Sequence, residues 1–305
     1  MEWLKAVLGF LFAVIIFGSL TLYWFMPFNS VEFVALPINS NFSLNSSTMP
    51  QMQFYPNLRY SSSNISYNIN SSLCTIKKQD DMRQALGIIQ NVTVLTFYPV
   101  NADPEISMSC DNKIVVNENY FVAGEGGPVN ISKTDEFNVI TNGEVLLLRD
   151  SNCPTPNVAI HELLHALGFI HSTNPNNIMY PVTSCDQTLG QDIPAVINDL
   201  YSVPSYPDLS FENATAIIQG RFLDTNVDIM NNGLQNSSNA TLAIFADGNQ
   251  IYTEAIPPLQ IGESITFILK HIWVQSMNVK QLDYQIQANF SEINKNNNQI
   301  KLEIQ

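Results

Sequence analysis

Three of the four histidines in this 305-residue chain fall within one short stretch, HELLHALGFIH, residues 161–171. His161 and His165 are four residues apart, so on a helix they project from one face, one turn apart. Two ring nitrogens at this spacing can reach a single metal ion. Glu162 follows the first histidine and can point toward the same ion, where its carboxylate can act on metal-activated water.

Gly168 and His171 complete the pattern. Gly168 lets the chain leave the helix with a positive φ, which a residue with a β-carbon resists. His171 can then return to the site as a third nitrogen ligand. Three nitrogen ligands with one open position are typical of catalytic zinc, whereas a structural zinc site is closed by four protein ligands. The pattern therefore predicts one catalytic Zn²⁺, with Glu162 as the general base.

The metal-binding stretch must be carried by a helix, which we predict over VAIHELLHALGF, residues 158–169. A strong strand is predicted over residues 144–149, set off by an Asn142-Gly143 turn. Further helices are predicted over residues 81–90 and near residues 192–201. Shorter strands are predicted at residues 65–69, 92–97, 106–110, 113–116 and 121–123, and Gly124, Gly126 and Gly127 are expected to break the last of these. We interpret residues 51–203 as one α+β domain.

A proline-bearing segment, SVPSYPD, residues 202–208, separates this domain from a second one over residues 204–305. Beyond it follow about seven strand-like runs, and Asp247-Gly248 predicts a type I′ hairpin between two of them. Short strands at this spacing predict an all-β sandwich. The sandwich shows no catalytic constellation, and we expect His271 and Trp273 to serve strand packing or the surface.

The N-terminal segment has 23 consecutive uncharged residues, Ala6–Phe28. A helix of that length spans the roughly 30 Å of a bilayer core. Tyr23 and Trp24 stand near its end, where an aromatic belt would lie. We favour a transmembrane anchor over residues 1–28, with a cleaved signal peptide as the alternative. Residues 29–50, rich in Asn and Ser, are expected to be a linker.

Composition narrows the classes of partner and the cellular compartment. The chain has 13 basic and 27 acidic residues and a net charge of −14, which argues against nucleic-acid binding. Four cysteines without a C-x-x-C pair favour disulfides over a cysteine metal site. We expect a membrane-anchored protein with its domains outside the cell, or a secreted one if the N-terminal segment is cleaved.

HELLHALGFIH followed by IMYP resembles the metzincin zinc peptidases, whose Met-turn places a methionine beneath the metal. Ser172 after the third histidine, and Met179 eight residues beyond that histidine, resemble the matrixin branch. The resemblance implies a metzincin-type domain, with a twisted mixed sheet, an active-site helix and a closing helix. It also implies a zinc endopeptidase acting on protein or peptide substrates, with Met179 supporting the site without coordinating the metal. Structural Ca²⁺ is common in the family but cannot be mapped onto residues here.

The same resemblance suggests where substrate and disulfides lie. By the family order, the substrate edge strand is Tyr120, Phe121, Val122, Ala123 and Gly124. Cys153 precedes the active-site helix and Cys185 follows the Met-turn, so these two segments should be neighbours. Four cysteines permit three pairings, and we favour Cys153–Cys185 with Cys74–Cys110.

The C-terminal sandwich resembles the CARDB-type immunoglobulin-like domain of prokaryotic surface proteins. The matching segments are PDLSF, VDIMNNG, FADGNQIY, LQIGES and EINKNNNQIKLEI. This leaves an alternative function, a cell-surface adhesion protein whose peptidase-like module is inactive. Retention of the three histidines, Glu162, Gly168 and Met179 favours the peptidase.

Overall fold

A computed structural model describes residues 2–25, 30–36, 52–117 and 120–305. Its helices are α1 Glu2–Phe25, α2 Ile76–Val92, α3 Asn157–Ala166 and α4 Asp192–Leu200. Its strands are β1 Ser30–Ala35, β2 Leu58–Tyr60, β3 Asn64–Ile69, β4 Thr96–Pro99, β5 Ile106–Cys110, β6 Val116–Asn117, β7 Tyr120–Phe121, β8 Gly124–Lys133, β9 Asn138–Leu147, β10 Leu209–Gln219, β11 Phe222–Asn231, β12 Ala240–Ala246, β13 Asn249–Ile256, β14 Ser264–Trp273, β15 Gln281–Ala288 and β16 Gln299–Ile304.

The first domain is built on a mixed sheet with the strand order β2-β9-β5-β3-β4. These five strands run parallel, and β8 pairs antiparallel with the other edge of β9. Helix α3 packs against β8, β9 and α2. Its apolar residues Leu163 and Leu164 are fully buried in the core between helices and sheet. The expected α+β character of this domain is therefore present.

Two glycine-based predictions are wrong. Gly124, Gly126 and Gly127 do not end a strand but lie at the start of β8. At Gly124 and Gly126, α3 packs so closely on β8 that a β-carbon would collide with Glu162. Asn142-Gly143 is not a turn but lies inside β9, beside a shift in the β8–β9 register. At Gly143 the missing side chain leaves room for the hydroxyl of Tyr60.

The second domain is an eight-stranded antiparallel sheet with the order β13-β12-β15-β16-β1-β10-β11-β14. Seven of these strands, β10 to β16, correspond to the seven runs predicted after the linker. Side chains from both halves of the sheet, such as Leu242 of β12 and Val227 of β11, belong to one core. The sheet therefore folds over a single core, as a sandwich does.

Strand β1 joins the two halves of this sheet, because it pairs with β10 on one side and with β16 on the other. Phe33 at its centre is buried in the sandwich core. The interpretation of residues 29–50 as a linker is thus wrong for Ser30–Ala35, whose inward side chains alternate with outward ones. Residues 37–50 lie outside the described part of the chain.

The two domains meet at the turn between β8 and β9. Phe137 in this turn is buried against Leu234 of the second domain. The backbone N–H of Asp135 donates to Oδ1 of Asn232 (3.0 Å), and Nδ2 of Asn232 donates back to Oδ2 of Asp135 (3.1 Å). The second domain therefore contacts the turn that directly follows the edge strand β8.

Helix α1 is exposed and apolar, with a mean hydropathy of 2.1 over Trp3–Leu22. By length and composition it could cross a membrane, as an anchor or as a signal sequence would. The side chains of Tyr23 and Trp24 lie outside the described part of the chain, so the aromatic belt stays a prediction.

Candidate metal centre

The three clustered histidines converge on one point. His161 and His165 project from α3, and His171 follows the helix. The Nε2 atoms of His161 and His165 are 3.1 Å apart, those of His165 and His171 also 3.1 Å, and those of His171 and His161 3.2 Å. Each ring therefore offers one nitrogen to a shared centre.

Backbone carbonyls orient two of these rings. Nδ1 of His161 lies 2.7 Å from the carbonyl oxygen of Ile178, and Nδ1 of His165 lies 2.7 Å from that of Phe169. A carbonyl oxygen only accepts, so each Nδ1 carries the proton and each neutral ring turns an Nε2 lone pair to the centre. The Nε2 lone pairs of His161 and His165 thus face each other at 3.1 Å with no hydrogen between them. A cation between the two nitrogens would remove the repulsion of these lone pairs. Imidazole nitrogens are ligands that Zn²⁺ prefers.

The protonation states suit this role. Burial lowers the pKa of His161 and of His171, and it lowers the pKa of His165 to about 4. Neutral imidazole is the form that binds metal, so the rings are ready for a ligand role at neutral pH.

Gly168 turns the chain at the end of α3. Its φ is 98°, and a β-carbon there would lie 2.7 Å from Cδ2 of Leu58. Beyond it, the N–H of Ile170 donates to the carbonyl of Met52 (2.9 Å), which fixes the path that leads to His171. Both the backbone conformation and the close packing thus require a glycine at this position.

The turn around Met179 is tied to two of the ligand segments. Ile178 supplies the carbonyl that holds His161, and the carbonyl of Met179 accepts from the N–H of Ser172, next to His171 (2.8 Å). Met179 itself is buried in the core of the domain. The turn therefore supports the site through its backbone.

Glu162 lies between the histidines and β8. A β-carbon on Gly124 would crowd its carboxylate, and one on Gly126 would collide with its backbone carbonyl. Burial, reinforced by the charge of Glu125, raises the pKa of Glu162 to about 8. A divalent cation at the histidines would act in the opposite direction and favour the carboxylate.

A cleft of about 640 Å³ opens beside this centre. Its walls comprise the three histidines and Glu162, residues 121–126 on one side and residues 181–183 on the other. The segment expected to be the substrate edge strand is only partly that strand. Tyr120 and Phe121 form β7, which pairs with β6, and Val122 and Ala123 connect β7 to the edge strand β8, which begins at Gly124.

Both disulfides form in the favoured pairing. Cys153–Cys185 joins the loop before α3 to the segment after Met179. Cys74–Cys110 joins the start of α2 to the end of β5. The first therefore closes the segment that carries all the histidine ligands.

Sequence reasoning missed several supporting residues. Oδ1 of Asn177 accepts from the N–H of Met179 (2.8 Å). Nε2 of Gln187 donates to the carbonyls of Pro175 (3.1 Å) and Val182 (2.9 Å) and so holds the loop that forms one cleft wall. Asn177 could have been suspected from its place in a turn, whereas nothing local marks Gln187.

Comparison with known families gives two matches. Residues 59–202 match the family model described as Matrixin. Residues 206–301 match the family model described as CARDB. No curated protein matches the chain.

Proposed function

The chain joins a matrixin domain, residues 59–202, to a CARDB domain, residues 206–301, and on this premise we propose that it is a zinc-dependent endopeptidase acting outside the cell. The observation that carries the proposal is the convergence of three Nε2 atoms within 3.2 Å of one another beside the buried Glu162. A passive surface module would not need this arrangement.

His161, His165 and His171 would hold the ion. Zinc in such a site acts as a Lewis acid on the scissile carbonyl and lowers the pKa of water toward ~7. Glu162 accepts the proton of the attacking water and passes it to the leaving amine. Burial of Glu162 against β8 raises its affinity for a proton and keeps it in place for both transfers.

Strand β8 would bind the substrate. One edge of β8 pairs with β9, and no other strand of the described chain covers its second edge. An extended peptide can add to such an edge through main-chain hydrogen bonds. Val122 beside β8, and Pro181 and Val182 on the opposite wall of the cleft, would then contact its side chains.

Helix α1 and the two disulfides support a location outside the cytoplasm. Two disulfides are typical of proteins outside the reducing cytoplasm. We propose that α1 anchors the chain in the membrane, with both domains on the outer side. Cleavage of α1 as a signal peptide would release the same two domains.

A zinc and cleavage assay on paired variants tests the proposal. We expect the purified chain to bind one zinc per molecule and to cleave casein or gelatin until a chelator is added. Glu162→Gln should keep the zinc while kcat falls by roughly 10²–10⁴-fold, the usual contribution of general-base catalysis. His165→Ala should lose both zinc and activity.

Two outcomes would contradict the assignment. Near-normal cleavage by Glu162→Gln would reject this carboxylate as the base. A zinc-loaded wild-type chain that cleaves none of these proteins would favour the adhesion alternative.

A further inference from the structure

One row of paired residues crosses four neighbouring strands at the end of the CARDB sheet where β1 begins. Ser30 pairs with Gln219, Gln219 with Phe222, and Phe222 with Trp273. Neighbouring strands are about 4.8 Å apart, so the backbone of Trp273 lies about 14 Å from that of Ser30. Trp273 and the start of β1 therefore share one end of the domain.

That end is also where the chain leaves the apolar helix. Helix α1 ends at Phe25 and β1 starts at Ser30. Consecutive Cα atoms are 3.8 Å apart, so the five steps from Phe25 to Ser30 span at most about 19 Å. If α1 crosses a bilayer, this end of the sheet must lie near the lipid surface.

The side chains at this end are those expected at a membrane interface. Trp273 is 45% exposed, and Met277 in the following loop is 43% exposed. The ring of Phe222 lies 5.5 Å from that of Trp273, and the guanidinium of Arg221 lies 5.5 Å from the same ring. We call Arg221, Phe222, Trp273 and Met277 the Trp273 patch.

Hydrogen bonds hold the patch together. The N–H of Val274 donates to the carbonyl of Arg221 (2.9 Å), and the guanidinium of Arg221 donates to the carbonyl of Gln275. The loop that carries Met277 is thus fixed beside Trp273. An exposed apolar group held in place costs little additional entropy when it inserts into another phase.

We propose that the Trp273 patch docks on the interface of the lipid bilayer, a proposal that rests on α1 being the membrane anchor. Tryptophan partitions to this interface because its ring is apolar and its N–H can reach polar partners. The guanidinium of Arg221, held by the carbonyl of Gln275, places a positive charge beside Trp273, where lipid phosphates would lie, while its stem covers apolar surface. The adjacent turn carries Asp247, whose carboxylate accepts from the backbone N–H of Lys280. One acidic and one basic residue give this turn no net charge, so the aromatic and apolar groups, more than electrostatic attraction, favour docking.

Docking would give the CARDB domain a specific task. Strand β10 has 11 residues and leads from Gln219, at the patch, to Leu209, at the end that meets the peptidase domain. At about 3.3 Å per residue, it spans roughly 33 Å. A docked sheet would hold the peptidase domain at about that distance from the lipid. Without docking, the two domains would be attached only through α1, and the peptidase domain could tilt toward the membrane.

Tryptophan quenching by brominated lipids tests the docking. The chain has three tryptophans, so Trp3→Phe with Trp24→Phe leaves Trp273 as the single reporter. This full-length variant is reconstituted into phosphatidylcholine vesicles brominated either near the headgroup or deep in the acyl chain. We expect loss of Trp273 emission with the shallow bromines and a smaller loss with the deep ones.

A matched reporter on the same strand provides the control. Ile268 is 65% exposed and lies five residues before Trp273, about 16 Å along β14. Ile268→Trp in a chain with Trp273→Phe, and with the other two tryptophans replaced, should keep its emission in both vesicles. Equal quenching of the two reporters would overturn docking through this end.

Vesicle flotation separates the two proposals. If the chain floats with the vesicles but Trp273 keeps its emission, α1 is an anchor and the docking is wrong. If the chain does not float, the anchor assignment fails and the docking fails with it, while zinc-dependent cleavage is unaffected.

Discussion

Gly124 of β8 leaves the space that the side chain of Glu162 occupies. A β-carbon on Gly124 would lie 2.7 Å from Cγ and 2.9 Å from Oε1 of Glu162. Gly127, three residues further along the same strand, would place a β-carbon with no atom within 4 Å. The position of the proposed general base therefore depends on a glycine in the neighbouring strand.

Gly124→Ala should lower kcat/KM by about 100-fold while zinc remains bound, because a displacement of Glu162 by about 1 Å is enough for such a loss. The measurement is peptide cleavage together with zinc content. Gly127→Ala is the matched control, since it adds the same methyl group to the same strand in open space. Equal losses in both variants would mean that the strand, and not Glu162, is the sensitive element.

The cluster of three histidines could be predicted from sequence because it depends on local geometry. His161, His165 and Gly168 lie within one helix and its exit, where spacing determines direction. Local sequence does not predict the role of Gly124 and Gly126, because that role depends on α3, which begins more than 30 residues later in the chain. Local propensity disfavours glycine in a strand, whereas the contact with Glu162 requires it.

Strand β1 was missed for a similar reason. Val31, Phe33 and Ala35 alternate with outward residues, but the segment is short and stands beside a region rich in Asn and Ser. Its partners are Ala216 and Ile304, far along the chain. A six-residue strand between two distant strands has no turn signal of its own.

Phe33→Ala should destabilise the CARDB sheet by about 3–5 kcal/mol, since Phe33 is buried at the junction of its two halves. Val34→Ala is the control, because Val34 is 41% exposed and its loss should cost about 0.5 kcal/mol or less. Hydrogen exchange of β10 and β16 amides in the full chain measures both. Unchanged exchange in Phe33→Ala would show that this segment is the linker its composition suggested.

Asp208 connects the domain interface to pH. It is 5% exposed, and its carboxylate accepts from the N–H of Asn294 (3.2 Å) and from Nδ2 of Asn297 (3.1 Å). Burial raises the pKa of Asp208 to about 6, and the negative charges of Glu292 and Asp135 act in the same direction. The two hydrogen bonds lower the pKa but do not offset the effect of burial. The folded state thus binds this proton more tightly than the unfolded state. Asp208 therefore contributes most to stability below pH 3.8, the ordinary pKa of an aspartate, and this contribution is lost as the pH rises to about 6.

Asp208→Asn should remove that fall, so the variant should gain stability over the wild type between pH 4 and pH 7, by up to about 3 kcal/mol. Oδ1 of Asn297 is buried and has no hydrogen-bond partner among the described residues. A flipped Asn297 amide could therefore accept from the new side-chain N–H. Urea unfolding of both proteins across this pH range measures the difference. Parallel pH profiles would show that Asp208 titrates alike in the folded and unfolded states.

The two disulfides close loops of similar length, with sequence separations of 32 and 36 residues. Loop entropy alone gives each a stabilisation of about 4 kcal/mol, so removing either pair with serine should lower the free energy of unfolding similarly. The two variants should differ in their zinc affinity. Cys153–Cys185 encloses α3 and the Met179 turn, whose carbonyls hold the ligands, so its removal should weaken zinc binding by about tenfold or more.

Competition with a chelator under native conditions measures that affinity in both serine variants. Removing Cys74–Cys110 should leave zinc affinity nearly unchanged, because this disulfide fastens α2 to β5 and does not enclose the segment that carries the three histidines. Equal zinc affinities in the two variants would mean that α3 and the Ile178 carbonyl hold the ligands without help from the covalent link. In that case the disulfide beside the cleft would stabilise only the fold.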